Sequence, residues 1–285
     1  MGLFFNYSKP GPGVPKDAPK KNAFFRFFGI FFRKFWHYVK SNLLYLLCSI
    51  PFAIIVYILV MFIISNFSGG LFNDVSDKTT ALMYLLLGVV GFNFYISVFG
   101  MGPVTAGETY VMRNFSQEEH AWVWSDFKDN LKSNFKQAIV VFVIDIAVLF
   151  CSTVALVFYG SQTGAISWLK IVVVWILLIY SMMHLYIYPM MVTFDLKLKY
   201  IFKNSFLFAI GNILKNILAL ILLLFIHIGV PMLIIFFAGN LAVIFLLVYL
   251  LLELTCLHAF SLMLVNFIIF PKIKSIMIDR ENENK

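Results

Sequence analysis

Residues 137–159 read QAIVVFVIDIAVLFCSTVALVFY, an apolar run that contains a single charged residue, Asp145. A helix of this length, at about 1.5 Å of rise per residue, crosses a hydrocarbon core that is roughly 30 Å thick. Lipid cannot hydrogen-bond the backbone of an open segment. The run therefore predicts a transmembrane helix.

Five further runs have the same character. They are Asn42–Phe67, Ala81–Gly102, Ser167–Phe194, Ile213–Ala238 and Leu241–Phe270. Of the 285 residues, 61% are hydrophobic and 13% are charged, whereas soluble domains carry roughly 25% charged residues. The sequence therefore predicts an all-α polytopic membrane bundle with six transmembrane helices, and it excludes a soluble protein.

The basic residues predict how this bundle is oriented. Of the 22 Lys and Arg residues, all but Lys78 and Lys170 fall on one side of the six spans. The positive-inside rule assigns that side to the cytoplasm, so we expect a multi-pass protein of a bacterial cytoplasmic membrane with both termini inside. The net charge of +8 then indicates attraction to anionic lipid at the inner face, and no nucleic-acid partner is expected.

Four segments are predicted along the chain. Residues 1–21 form a basic arm rich in Pro and Gly, residues 41–271 form the membrane domain, and residues 272–285 form a cytoplasmic tail. Residues 22–40 place polar side chains on one narrow stripe and Phe and Trp on the remaining face, as an in-plane amphipathic helix at the bilayer surface requires. The residues predicted to contact lipid headgroups are Arg26, Arg33, Lys34 and Lys40.

An internal repeat organises the membrane domain. The inner ends of spans one, three and five are marked by Lys40-Ser41-Asn42, Lys132-Ser133-Asn134 and Lys215-Asn216. Each following hairpin closes near a proline, and these are Pro103, Pro189 and Pro271. The pattern predicts three helical hairpins of the same orientation, which is a parallel repeat.

Several motifs resemble the YesL family over essentially the whole chain. They are residues 11–14 (GPGV), residues 31–36 (FFRKFW) followed by residues 42–45 (NLLY), and the connector motifs at residues 102–107, 110–115 and 118–122. Members of that family are bacterial integral membrane proteins of unknown biochemical activity, often encoded beside carbohydrate ABC importers. The resemblance implies this context and supplies no catalytic residues.

Ionisable residues inside the predicted spans are the candidates for internal chemistry. They are Asp145, His184, His227, Glu253 and His258. Such groups are costly in lipid, so we expect them to face the bundle interior. Two interpretations stay open, a path for protons or a polar substrate, and hydrogen bonds that hold helices together. Pro231, four residues after His227, predicts a kink and a cavity beside that histidine.

Motifs for catalysis, cofactors and metals are missing from the sequence. No nucleophile–base pattern, phosphate-binding glycine loop or nucleotide fingerprint occurs. Cys48, Cys151 and Cys256 lie in apolar runs without the spacing of metal ligands. We therefore predict a non-enzymatic protein with no cofactor and no metal.

The connector of residues 103–136 is predicted to be cytoplasmic and to carry the surface that a partner contacts. The residues assigned to this surface are Pro103, Thr105, Gly107, Tyr110, Arg113, Asn114, Glu118, Glu119, His120, Trp122 and Trp124. Together with the family context, the connector favours an accessory or regulatory partner of a carbohydrate ABC import system. Two alternatives remain, a stand-alone small-solute carrier that uses the intramembrane Asp, Glu and His residues, and a membrane scaffold that organises lipid.

Overall fold

The structure is a computed structural model. It describes the backbone of residues 22–67 and 78–279, and the side chains of residues 22–62, 88, 90–239 and 241–279. The predicted basic arm, residues 1–21, lies outside the described residues, as do residues 280–285 of the predicted tail. The secondary structure of the described part consists of helices, without strands.

The α-helices of the described chain are numbered in order. They are α1 (Ala23–Arg33), α2 (Phe35–Phe67), α3 (Lys78–Phe99), α4 (Pro103–Ser116), α5 (Val123–Ser133), α6 (Phe135–Ser161), α7 (Leu169–Met191), α8 (Leu198–Gly211), α9 (Ile213–Leu224), α10 (Val230–Phe237), α11 (Ala242–Leu252) and α12 (His258–Ile273). Segments of π-helix, Phe225–Gly229 and Glu253–Leu257, join α9 to α10 and α11 to α12, and a third, Lys274–Asp279, follows α12. Short 3₁₀ turns precede α7 and α11.

Among the described residues, five helical stretches are long and apolar enough to cross a membrane. They are Phe35–Phe62, Phe135–Ser161, Gly164–Met191, Ile213–Phe237 and Ala242–Asp279. The remaining predicted span, residues 81–102, falls on α3, whose shorter apolar stretch is Val90–Phe99. Most of this apolar surface is uncovered by protein, which indicates a multi-pass membrane protein because exposed apolar area of this extent needs lipid.

The predicted in-plane helix of residues 22–40 ends earlier than expected. Lys34 leaves the helical conformation (φ −111°, ψ 17°), so α1 stops at Arg33 and residues 35–40 belong to the long helix α2. Phe27 packs on Phe260 of α12, with ring centroids 5.3 Å apart. The opposite side of α1 leaves Phe24, Phe25 and Phe32 exposed, as a helix at a lipid surface would.

A shared pattern of helices precedes three of the long spans. A short helix and a one-residue break precede the long stretch at α1–Lys34–α2, at α5–Asn134–α6 and at α8–Asn212–α9, where α9 begins the stretch Ile213–Phe237. The three prolines are less uniform than the sequence pattern suggested. Pro103 begins α4, whereas Pro189 and Pro271 lie inside the last turns of α7 and α12.

Helix α4 lies at the centre of the bundle. It contacts α1, α2, α5, α6, α7 and α12, and all of its residues except Tyr110 are buried. The chain enters α4 through a turn in which Gly100 and Gly102 have φ of 77° and 58°, a region that favours glycine. The Thr105 hydroxyl accepts a hydrogen bond of 2.6 Å from the Met101 amide and closes this turn.

Candidate functional site

The intramembrane ionisable residues form buried pairs of one histidine and one carboxylate. All five predicted residues are buried, and four of them pair with each other, Asp145 with His184 and Glu253 with His227. The fifth, His258, lies against Glu108 of α4, a residue that the sequence had not singled out. Burying a carboxylate away from water is costly unless it is paired and hydrogen-bonded, and each of these carboxylates has a histidine as its partner.

The first pair connects α6 to α7. Asp145 Oδ1 lies 2.7 Å from His184 Nε2 and accepts a hydrogen bond of 2.6 Å from the Tyr180 hydroxyl. The second carboxylate oxygen of Asp145 and the Nδ1 atom of His184 have no hydrogen-bond partner in the described structure. The pair is therefore held firmly on one side and left unsatisfied on the other.

The second pair joins the two π-helical segments of the last hairpin. His227 Nδ1 lies 2.6 Å from Glu253 Oε1, and His227 Nε2 lies 2.9 Å from the Ser261 hydroxyl. The Tyr249 hydroxyl lies 2.5 Å from the same Glu253 oxygen and 3.3 Å from the carbonyl oxygen of Ile226. Both nitrogens of this imidazole are thus occupied. A π-helical turn shifts the backbone hydrogen bonds by one residue and is frequent at functional sites.

Asn42 of α2 supports the π-helical turn that carries Glu253. Its side-chain amide donates to the carbonyl oxygens of Glu253 (3.0 Å) and Leu254 (2.9 Å), and its amide oxygen accepts from the Ala259 amide (2.9 Å). The matching asparagines of the predicted repeat have other partners. Asn216 bonds to α8 and to Tyr186, and Asn134 bonds within its own turn.

The third pair connects α4 to α12. Glu108 Oε2 is 3.2 Å from His258 Nε2, a distance within ion-pair range, but the alignment is not that of a hydrogen bond. Glu108 Oε1 accepts a hydrogen bond of 3.2 Å from Ser41, and the Tyr45 ring stacks on His258 with centroids 4.2 Å apart. Glu108 lies in a polar connector, so its sequence context resembled an exposed surface. Its position between two of the family-like motifs was the available signal.

A small cavity of about 20 Å³ lies between the first and the third pair. Its walls come from α3, α4, α7 and α12 and include Ser97, His184, Tyr188 and His258. Sequence reasoning predicted a cavity beside His227 instead. At that position the imidazole is hydrogen-bonded to Glu253 and Ser261, and the cavity beside it stays a prediction.

About half of the predicted partner surface is not a surface in this structure. Pro103, Thr105, Gly107, Arg113 and Asn114 are buried inside the bundle. Gly107 allows a close approach of α5, since a Cβ atom there would lie 2.7 Å from the Phe127 carbonyl oxygen. Tyr110 is partly buried. These residues therefore hold α4 in the interior and are not available to a partner.

Arg113 connects the end of α4 to the end of α7. Its Nη1 atom donates to the Val192 carbonyl oxygen (3.2 Å) and to the Thr193 hydroxyl (2.8 Å), while Nε and Nη2 donate to Asn114 Oδ1. The guanidinium also lies over the Tyr110 ring, 4.6 Å from its centroid. The residue is a structural anchor of the connector.

The exposed part of the predicted partner surface is the connector tip, which we define as residues 117–124. Its exposed residues are Glu118, Glu119, His120, Trp122 and Trp124. The His120 and Trp122 rings contact each other, with centroids 4.7 Å apart. Glu118 has a left-handed conformation (φ 62°) between the end of α4 at Ser116 and the start of α5 at Val123.

Basic residues assigned to lipid headgroups make contacts within the protein. Arg33 forms an ion pair of 2.9 Å with Glu118, and Lys34 donates to the Glu119 carbonyl oxygen (2.9 Å). Burial lowers the pKa of Lys34, and the Arg33 guanidinium lowers it further, while Glu118 acts in the opposite direction. Arg26 lies over the Phe267 ring, and Lys40 is exposed. Residues Arg33 and Lys34 thus hold the connector tip.

Comparisons with known proteins give one match, over part of the chain. A family model described as "Protein of unknown function, DUF624" matches residues 80–156. The matched range contains α4 and α5, most of α3 and α6, and with them Glu108, Arg113 and Asp145. No curated protein and no solved structure matches the chain. Over about a quarter of its length, the chain is therefore similar to a family whose function is unknown.

Proposed function

We propose that the protein is a non-enzymatic accessory or regulatory partner of a carbohydrate ABC import system in a bacterial cytoplasmic membrane. The observation that carries the proposal is the connector tip, in which Trp122 and Trp124 are 69% and 67% exposed. Tryptophan is strongly enriched among the residues that dominate protein–protein binding energy. The motifs that resemble the YesL family, whose members are often encoded beside such importers, supply the class of partner.

The contacts beneath the tip support this role. Arg33 and Lys34 connect the tip to the junction of α1 and α2. The Lys34 ammonium also lies over the ring of Phe115, 4.1 Å from its centroid, and Phe115 is buried in the bundle. A pre-organised surface loses little conformational entropy on binding. These contacts hold the backbone at Glu118 and Glu119, just before the aromatic residues of the tip.

Affinity purification from native membranes in mild detergent tests this proposal. We expect importer subunits to co-purify with the wild-type protein and to be lost from the double variant Trp122→Ala/Trp124→Ala. The matched control is Trp168→Ala, since Trp168 is 66% exposed at the opposite end of α6 and should leave the complex intact. If no importer subunit co-purifies with the wild type under any sugar condition, the proposal is wrong.

The proposed topology places both termini and the connector tip in the cytoplasm, with six spans arranged as three parallel hairpins. Two observations support it. All Lys and Arg residues except Lys78 and Lys170 fall on one side of the six predicted spans, and a short helix with a one-residue break precedes α2, α6 and α9. In this topology α3 is the second of the six spans and adds to the five long apolar stretches. The short outer turn Gly164–Trp168 then faces the outside.

Anionic lipid at the inner face is the second proposed partner. Exposed Phe24, Phe25 and Phe32 lie on α1 together with Arg26 and Arg33, a combination typical of helices at the headgroup level. Lys40 is free to contact lipid, and Arg33 is exposed over more than half of its side chain. The double variant Arg33→Gln/Lys40→Gln should retain less anionic lipid through purification, as measured by lipid mass spectrometry, and unchanged retention would contradict the assignment.

A second candidate function is a stand-alone carrier of a small solute. It is favoured by the three buried histidine–carboxylate pairs, because buried ionisable groups in a membrane protein commonly mark a path for ions or polar substrates. The pairs lie on different helices, which a carrier could separate and rejoin during transport.

Uptake of radiolabelled monosaccharides into reconstituted vesicles, under a pH gradient, tests the carrier function. We expect Asp145→Asn and Glu253→Gln to abolish uptake, and Asp195→Asn, at an exposed carboxylate outside the candidate spans, to preserve it. Uptake that is unaffected by both interior substitutions would exclude the carrier function.

A further inference from the structure

The cavity between α3, α7 and α12 carries an inference that depends on neither proposed function. Several polar atoms of its lining residues are buried and have no hydrogen-bond partner within the described structure. They are Ser97 Oγ, His184 Nδ1, Tyr188 OH and His258 Nε2. Buried polar atoms are nearly always hydrogen-bonded, to protein or to ordered water. Four unsatisfied atoms around one cavity therefore indicate a ligand that satisfies them.

The size of the cavity limits that ligand. Its volume is about 20 Å³, whereas a single water needs roughly 10–15 Å³ of such space and two to four polar partners. One water molecule fits, and a sugar does not. Both hydrogen-bond donors and acceptors line the cavity, since hydroxyl groups serve as either and a neutral imidazole has one of each.

We propose that the cavity binds one water molecule, which joins the Asp145–His184 and Glu108–His258 pairs into a single proton-binding unit. The series runs from Asp145 to His184 through a hydrogen bond, from His184 to the water, and from the water to His258, whose Nε2 atom lies 3.2 Å from Glu108 Oε2. A proton taken up from solvent protonates one member of the series. The water transmits this change because its own donors and acceptors reorient between the two imidazoles.

The groups that face this unit are mostly neutral hydroxyls. Tyr180 bonds to Asp145, and Tyr95 of α3 lies near the same carboxylate. Tyr45 and Ser41 of α2 contact His258 and Glu108, and Tyr188 of α7 lines the cavity. Besides these tyrosines, the ionisable groups of the cluster are two carboxylates and two histidines.

Infrared titration of the purified full-length protein in detergent tests the coupling. The carboxyl band of Glu108 is assigned by its loss in Glu108→Gln, and its titration midpoint is then measured in Asp145→Asn. For a coupled unit we expect the midpoint to move by about one pH unit or more. The control is Glu253→Gln, in the pair that does not line the cavity, which should leave the midpoint unchanged. An unchanged midpoint in Asp145→Asn would overturn the proposal.

The water itself is tested in the wild-type protein, so this arm does not depend on any variant folding. We expect an O–H stretching band that shifts in H₂¹⁸O and changes along the same pH curve as the Glu108 carboxyl. In Ser97→Val, which fills the cavity and leaves both pairs in place, the band should vanish and Asp145→Asn should no longer move the Glu108 midpoint. A wild-type protein without such a band would refute the proposal.

Discussion

The connector helix α4 and the long stretch Gly164–Met191 have opposite relations between composition and burial. α4 contains Glu108, Arg113 and Asn114, yet it is buried along nearly its whole length. Up to Ser181 the stretch Gly164–Met191 consists mostly of apolar residues, yet none of those residues is buried inside the protein, and its buried part begins only at Met182. In a soluble domain we would expect the apolar stretch to be buried and the polar helix to be exposed, because apolar residues fill the interior of soluble domains.

The difference shows what holds this bundle together. Lipid is as apolar as the helices that face it, so burying apolar side chains between helices gains little. Polar groups behave differently, since lipid offers them no hydrogen bonds and each must find a partner inside the protein. The polar residues of α4 therefore find their partners on or next to α2, α7 and α12, which pack around α4. The apolar helix faces form the outer shell.

The largest expected effect follows from removing the buried anchor of α4. Arg113→Leu leaves the Val192 carbonyl oxygen and Thr193 without their partner and should lower the free energy of unfolding by about 3 kcal/mol. Denaturant unfolding in detergent micelles measures this. Arg33→Leu is the control, because exposed ion pairs contribute about 1 kcal/mol or less. Equal losses in the two variants would contradict the central role of α4.

Asn42 provides the next test. Asn42→Leu removes two hydrogen bonds to the π-helical turn at Glu253–Leu257 and one to the Ala259 amide that follows it, and we expect a loss of about 2 kcal/mol. Hydrogen exchange should also accelerate at residues 253–259. Asn134→Leu, at the matching repeat position, removes bonds within its own turn and should cost about 0.5 kcal/mol. If exchange at residues 253–259 is unchanged in Asn42→Leu, the support assigned to Asn42 is wrong.

Replacing either of two glycines by alanine should change the free energy of unfolding, with opposite signs at the two positions. In Gly107→Ala the new Cβ meets the Phe127 carbonyl oxygen at 2.7 Å, so α4 and α5 must separate at a cost of about 1–3 kcal/mol. In Gly29→Ala the new methyl meets no atom within 4 Å, and the helix α1 should gain about 0.5–1 kcal/mol. Thermal unfolding of both variants in one detergent gives the comparison. Stabilisation by Gly107→Ala would show that α4 is packed less tightly than described.

The smallest effect is expected on the lipid-facing shell. Leu214 is 80% exposed, so Leu214→Ala should change the free energy of unfolding by less than about 0.5 kcal/mol. The same denaturant titration measures it. A loss close to that of Arg113→Leu would mean that this side chain packs against protein.

The sequence predicted the class of fold and the interior residues, but it did not predict their partners. Length and apolar runs suffice to identify membrane-spanning helices, and the cost of burying charge suffices to place Asp145 and Glu253 inside. The sequence does not show which buried residues pair, because Asp145 and His184 are brought together only by how α6 packs on α7. Glu108 was missed for the same reason, since a polar connector helix has the composition of a surface.

Local departures from ideal helices were predictable in part. Pro231 correctly indicated an irregular helix near His227, because proline cannot complete the backbone ladder, and a π-helical turn ends at Gly229. No local signal marked the second π-helical turn at Glu253. Its backbone groups are satisfied by Asn42 from another helix, so its existence depends on tertiary packing.

Cysteine labelling tests most directly the claim that α4 is a buried helix at the centre of the bundle. In a background with Cys48, Cys151 and Cys256 replaced by Ser, Ala106→Cys and His120→Cys are exposed to a maleimide that cannot cross membranes, in opened and in sealed vesicles. Ala106 is fully buried and His120 is exposed. We predict rapid labelling of His120→Cys from one side of the membrane and none of Ala106→Cys from either side until the protein is denatured. Comparable labelling of the two positions in the folded protein would contradict the account.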